Sequence, residues 1–211
     1  VEIPDSVKSI GQYVFRGCEK LKNVKLPSGL EELSDSLFCD CKSLESVDIP
    51  GTVKKLGEGV FYGCEKLKKV NLPTELTEID RLLFYECKSL ESIEIPDTVK
   101  SIGDYAFFNC TSLKSAVIKD GVENLGNHIF NVCTALEEVT LPYAGPSLTA
   151  VNQADSSEYV SSILFRNGVE NSLKKITITG GTRIPSHAFD GFELVEEIVL
   201  PDTITSIGDD A

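Results

Sequence analysis

The apolar positions of this chain recur at a fixed interval. Ile3, Leu26, Ile49, Leu72, Ile95, Ile118 and Leu141 follow one another at steps of 23 residues, and so do Phe15, Phe38, Phe61, Phe84, Phe107 and Phe130. Cys18, Cys41, Cys64, Cys87, Cys110 and Cys133 make a third column. Between the columns lie LKNVKLP, LESVDIP, LKKVNLP, LESIEIP, LKSAVIK, LEEVTLP, LKKITIT and VEEIVLP, each alternating at period two. In the first of them Val24 and Leu26 face inward while Asn23 and Lys25 face out. Each segment predicts a short strand whose apolar face only the next copy can cover, so the copies stack. The expected result is one parallel sheet of about nine strands lining the concave face of a solenoid. The Pro closing most segments cannot donate to a ladder and marks the strand end. The return half, SVKSIGQYVF in the first copy, is too short for a long helix and predicts turns, 3₁₀ segments or brief strands on the convex side.

A unit of about 20 to 29 residues built on L-x-x-[VI]-x-[LI] is the signature of a leucine-rich repeat solenoid. Written out as L-x-x-[VI]-x-[IL]-P-x-x-[VL]-x-x-I-G-x-x-A-F-x-x-C, the unit resembles the BspA-like leucine-rich repeats. IPDTVKSIGDYAFFNCTSLKSAVI at 95–118 matches that pattern nearly letter for letter. The resemblance implies a right-handed, β-rich solenoid with one curved parallel sheet on its concave face. It also implies a non-catalytic module on or outside cells of bacteria and some protists, where members adhere to host proteins or neighbouring cells. It brings no catalytic residues with it. The chain departs from the pattern at Ala116, where an inward Val or Ile is expected, at Phe192 in the Cys column, and after Leu141. The whole of 1–211 reads as one solenoid, expected to be a fragment of a longer protein, with an irregular longer repeat over 142–171. Two other readings are an architectural spacer or intracellular scaffold, and a targeting domain attached to an enzyme.

Charge narrows the partners. Acidic residues outnumber basic ones 33 to 20, giving a net charge of −13. Phosphate binding depends on Lys and Arg, so nucleic acid and anionic membrane surfaces are disfavoured. No segment reads as a signal peptide or a membrane span, so no membrane insertion by this chain is expected. The charges also alternate along the repeat: Lys22, Glu45, Lys68, Glu91, Lys114 and Glu137 occupy one column, continued by Lys174 and Glu196, and Glu19, Lys42, Glu65 and Lys88 another in the opposite sense. On neighbouring strands such columns place opposite signs side by side, which stabilises the register.

Three surfaces are candidates for binding a protein. The outward concave positions Asn23, Lys25, Ser46, Asp48, Lys69, Asn71, Ser92, Glu94, Glu138, Thr140, Lys175 and Thr177 make a small, polar, mixed-charge floor without aromatic anchors, suited to weak or repeated contacts. Tyr62, Tyr85 and Phe108, each directly after a column Phe, form an aromatic strip on one flank, for which stacking between neighbours is the simpler reading. In the longer repeat, Tyr143, Tyr159 and Arg166 are the residues to test, because insertions in solenoids often add binding. The open ends of a stack can also associate, so end-to-end self-association is an option.

Chemistry is hard to find in this sequence. Equivalent cysteines on adjacent coils lie about 4.8 Å apart, beyond disulfide reach, and read as buried reduced thiols. Cys39, one residue past the Phe column, is expected to face outward and to be the reactive thiol. His128 and His187 each precede a column Phe by two residues, as Tyr13 and Tyr105 do, and read as surface variation rather than as a base or metal ligand. No catalytic grouping, zinc spacing or phosphate loop is present, so no cofactor, metal or enzymatic activity is expected.

Overall fold

In the computed structural model, which describes residues 1–145 and 172–211, every regular element is a strand of four residues or fewer. Two parallel rows run along the stack. The concave row contains β1 (Asn23–Lys25), β3 (Ser46–Asp48), β6 (Ser92–Ile95), β8 (Ser115–Ile118), β10 (Glu138–Leu141), β11 (Lys175–Ile178) and β13 (Glu197–Val199). The second row consists of two-residue strands: β2 (Glu32–Leu33), β4 (Lys55–Leu56), β5 (Glu78–Ile79), β7 (Ser101–Ile102), β9 (Asn124–Leu125), β12 (Arg183–Ile184) and β14 (Ser206–Ile207). No helix of any kind occurs among the described residues. Register follows the sequence period, with Val24 opposite Val47 in β1 and β3, and Val139 opposite Ile176 across the longer repeat.

Proline sets how far each ladder extends. Where Lys119 and Thr179 replace the usual Pro, their backbone N–H groups donate to the carbonyls of Ile95 and Leu141 at 3.4 and 3.0 Å. Those two steps, β6 to β8 and β10 to β11, pair four residues each. The steps from β8 to β10 and β11 to β13, which end at Pro142 and Pro201, pair only three. A missing donor removes one rung.

The concave row is not hydrogen-bonded throughout. The strands β6, β8, β10, β11 and β13 form a five-stranded sheet, while β1 and β3 form a separate pair extended by single bridges from Glu2 to Lys25 and from Ser46 to Lys69. Between Lys69–Leu72 and β6 no strand pairing occurs, and the backbone link there is Glu91 N–H to the Lys68 carbonyl at 3.1 Å. The second row parts one coil earlier, between β4 and β5. Side-chain type accounts for the difference. The outward column of the continuous sheet begins with Glu94 and runs on through Val117, Thr140, Thr177 and Val199, β-branched residues that pack well across strands; at the break Asn71 and Glu94 are the neighbours, and both favour strands less.

The turn edge runs unbroken past this seam. Two residues per coil have left-handed backbone: Tyr13, Ser36, Gly59, Leu82, Tyr105, His128 and His187 two places before the Phe column position, and Gly17, Asp40, Gly63, Glu86, Asn109, Val132 and Gly191 two places after it. These reversals turn the intervening N–H groups toward the next coil. Leu82, Phe84 and Glu86 thus donate to Asp104, Ala106 and Phe108 at 3.1, 2.8 and 2.8 Å. Only four of these positions are glycine, so most coils hold an ordinary side chain in a conformation that costs about 1 kcal/mol or more.

Inside the coil, Phe15, Phe38, Phe61, Phe84, Phe107 and Phe130 form one stack with centroid spacings of 5.3 to 5.8 Å. The Cys column lies beside it. The thiols of Cys41, Cys64, Cys87, Cys110 and Cys133 each donate to the carbonyl of the Phe 26 residues earlier, at 3.0 to 3.2 Å. A small, weakly polar side chain thereby fills the core and satisfies a backbone acceptor of the preceding coil.

Candidate binding surface

The concave floor stands where the alternation places it. Asn23, Lys25, Ser46, Asp48, Lys69, Asn71, Ser92, Glu94 and Glu138 are exposed, and Thr140, Lys175 and Thr177 are half-buried. Much of the charge is matched within the face. Lys25 pairs with Glu2 at 2.6 Å, Lys119 with Glu94 at 2.7 Å and Lys175 with Glu197 at 2.7 Å, while Ser46 Oγ donates to Asn23 Oδ1 at 3.2 Å. The hydrogen bond and charge of Glu94 hold the Lys119 ammonium above its ordinary pKa. Lys69 has no ion pair to a described carboxylate.

At the seam the floor opens into a cleft of about 500 Å³. Lys69, Asn71, Ser92, Glu94, Asp97 and Lys119 form its polar rim, and the buried Val70 and Ile93 with the half-buried Leu72 lie beneath it. Sequence reasoning named four of the six rim residues. It missed Asp97, which lies past a strand end, and Lys119, which stands where Pro is usual.

The flank strip exists as a stack. Tyr62 and Tyr85 lie 4.7 Å apart at 4°, and Tyr85 and Phe108 4.7 Å apart at 10°. Ring faces are therefore spent on one another and only edges reach solvent, which suits a cross-coil brace better than a platform for a flat ligand. Tyr105 packs edge-on against Phe108 and tilts over His128, so that histidine belongs to the same brace.

Two expectations are corrected. Tyr143 is not a surface contact: it is 1% exposed and is a core residue, its hydroxyl has no partner among the described residues, and burial raises its pKa above the ordinary phenol value. Tyr159 and Arg166 lie outside the described residues. Cys39 is not outward either; at 7% exposure it occupies the column position between Arg16 and Tyr62 of the neighbouring coils, and these larger groups cover it. Burial, with the Asp40 carboxylate beside it, pushes its thiol up to about 11. All seven cysteines are free, and the exposed one is Cys18 in the first coil. In the folded protein at pH 8, a thiol reagent such as dithionitrobenzoate is expected to titrate Cys18 alone, the other thiols reacting only after denaturation. Rapid labelling of Cys39 in peptide maps would overturn that assignment.

The alternating charge columns divide by function. Glu19 and Lys42 pair at 2.8 Å, and Glu65 and Lys88 at 3.0 Å; both lysines are raised in pKa, chiefly by these hydrogen bonds. In the other column the backbone makes the link, from Glu45 N–H to the Lys22 carbonyl at 3.0 Å through to Glu196 N–H to Lys174 at 2.8 Å, with one side-chain pair, Lys174 to Glu137 at 3.7 Å. Exposed pairs of this kind contribute little to stability, and mismatched signs would oppose a slipped stack.

No metal-binding cluster of His, Cys, Asp or Glu occurs among the described residues, nor any helix long and apolar enough to cross a membrane. A family model for the BspA type leucine rich repeat region, in six copies, matches residues 1–88 and 77–211. No curated protein matches the chain. Among solved structures, a leucine-rich repeat protein from Bacteroides ovatus is 29% identical over 100% of this chain and 56% of its own, with a TM-score of 0.65. A leucine rich cell surface protein from Faecalibacterium prausnitzii is 29% identical over 98% of this chain and 56% of its own, at 0.68. The leucine rich repeat protein of T. pallidum is 28% identical over 85% and 78%, at 0.60. The chain thus spans a little over half the length of the first two.

Proposed function

The chain belongs to the BspA-type leucine-rich repeat family, and from that premise we propose that it is a non-catalytic adhesion module, on a cell surface or secreted, that binds a partner protein through its concave face. The observation that carries this reading is the uninterrupted row of outward side chains from Asn23 to Thr177, which packs against no other described element. Solenoids of this shape bind extended partners on such a face. The description of the F. prausnitzii relative as a cell surface protein supports the location.

The test is a screen of immobilised host-surface and matrix proteins against the folded domain, with Ser92→Arg and Thr177→Arg as paired variants. Both side chains point away from the core, so the variants keep the fold. Capture of a partner by the parent and about tenfold weaker capture by at least one variant is the expected result, the order of loss seen when a contact in a partner interface is blocked. No capture at all, or capture indifferent to both variants, sinks the reading. The seven unpaired thiols favour a second reading, an intracellular scaffold, because reduced cysteines persist in a reducing compartment.

A further inference from the structure

We propose that the two end faces of residues 1–211 are complementary, and that the C-terminal face takes the N-terminal face of a second copy, head to tail and in the register of the repeat. Ile198 and Ile207 hold inward positions yet are 42% and 61% exposed, whereas Ile176 and Ile184, their counterparts one coil back, are sealed. No described coil covers them, and uncovered apolar side chains of this kind mark a contact surface. Beside them β13 is the open edge of the five-stranded sheet. The other end of the stack offers an edge of the opposite sense. Ile3 N–H donates to the Lys25 carbonyl at 3.0 Å and Lys25 N–H to the Val1 carbonyl at 2.9 Å, so the N–H and carbonyl of Glu2 face away from β1.

Leu200 and Ile3 hold the same place in the repeat, and setting one beside the other brings Ile198 to Val1, Ile204 to Val7 and Ile207 to Ile10. These are the apolar pairings of the internal interfaces, as where Val24 meets Val47. Asp209 then stands beside Gln12. Inside the chain the same step is made twice, by Glu58 N–H donating to Asp35 Oδ1 at 3.1 Å and Asn127 N–H to Asp104 Oδ1 at 2.7 Å, so Asp209 is placed to accept the Gln12 N–H.

Charge selects the occupant and its orientation. Residues 186–211 carry seven acidic side chains, all exposed, and no Lys or Arg, while residues 1–25 carry five basic and three acidic ones. Two C-terminal faces therefore repel, and a C-terminal and an N-terminal face attract. A contact between unlike faces does not close on itself, so copies add in an open row. The turn edges do not meet, because the Phe position after Phe189 falls past Ala211, and the junction is weaker than an internal interface.

Sedimentation velocity of residues 1–211 without added terminal residues, between about 5 and 500 µM, is the test. Dimers and then longer species that grow with concentration are expected, with association about threefold or more weaker at about 0.5 M NaCl than at about 0.05 M. Ile207→Glu blocks the C-terminal face and Val7→Glu the N-terminal one. Each alone is expected to be monomeric, and their equimolar mixture to form dimers and nothing larger, since each keeps the face the other lacks. Should Val7→Glu lower the melting temperature, Glu2→Pro takes its place, deleting the outward N–H while keeping both backbone bonds to β1. A parent that stays monomeric, variants that associate like the parent, or a mixture without dimers would overturn the junction. None of these results touches partner capture by the concave face.

Discussion

Phe84→Ala is expected to cost about 3 to 5 kcal/mol, the range for truncating a fully buried aromatic, and to lower the urea midpoint accordingly. Phe84 is 0% exposed and stacks on Phe61 at 5.4 Å and on Phe107 at 5.3 Å. Its removal therefore breaks two ring contacts as well as opening a void. The coils on either side are held by Phe84 N–H donating to the Ala106 carbonyl at 2.8 Å and Phe61 N–H to the Leu83 carbonyl at 3.0 Å, and these keep the cavity walls in place. Collapse cannot relieve it cheaply. The same change at Phe15, which is only partly buried at one end of the stack, is expected to cost less than half as much. Equal losses at the two positions would show that the stack adds nothing beyond burial.

The second large effect is predicted for Gly126→Ala. A Cβ there would stand 2.5 Å from the Gly103 carbonyl carbon and 2.6 Å from Asp104 N, both backbone atoms of the preceding coil. Those atoms belong to a ladder, since Gly126 N–H donates to the Ile102 carbonyl at 2.7 Å and Tyr105 N–H to Asn127 at 3.0 Å, so the clash is resolved only by moving the coils apart. A loss of about 1 to 3 kcal/mol is expected. Gly51→Ala is the matched control, with nothing within 4 Å of its Cβ, and is expected to be neutral or slightly stabilising. Chemical denaturation of the two variants side by side checks the prediction, and it fails if both behave alike.

The contrast between these glycines shows where sequence was informative. Period, columns and alternation place the Phe stack, the Cys column and the concave residues, because each depends on a side chain that every coil supplies alike. Backbone conformation left a weaker trace. Tyr13, Leu82, His128 and Val132 all adopt left-handed φ, yet none is a residue type that announces it. Gly17, Gly59, Gly63 and Gly191, with Asp40 and Asn109, hint at the two reversals per coil. Because those reversals fall on both sides of the Phe, the residue after it turns partly inward, which is why Cys39 is buried and Tyr62 stacks. The break in the concave ladder was also hidden. It depends on Asn71 meeting Glu94 where later coils bring together Val117, Thr140 and Thr177, a difference between coils that a search for sameness passes over.

The seam also has a mechanical meaning. In a parallel stack the hydrogen bonds that join coils lie along the long axis, so tension between the two ends loads them in line, one interface at a time, rather than in shear. The two interfaces flanking the coil of Lys69 each lack one row, the concave rungs toward Ser92 and the second-row pairing toward Ser46, and are weaker under such a pull than those of the five-stranded half. Parting there releases no chain by itself; it frees a flanking coil to unwind, and each 23-residue coil then lengthens the molecule by up to roughly 80 Å. A tether built this way gives in its first half, absorbing load in discrete steps while the five-stranded half stays wound.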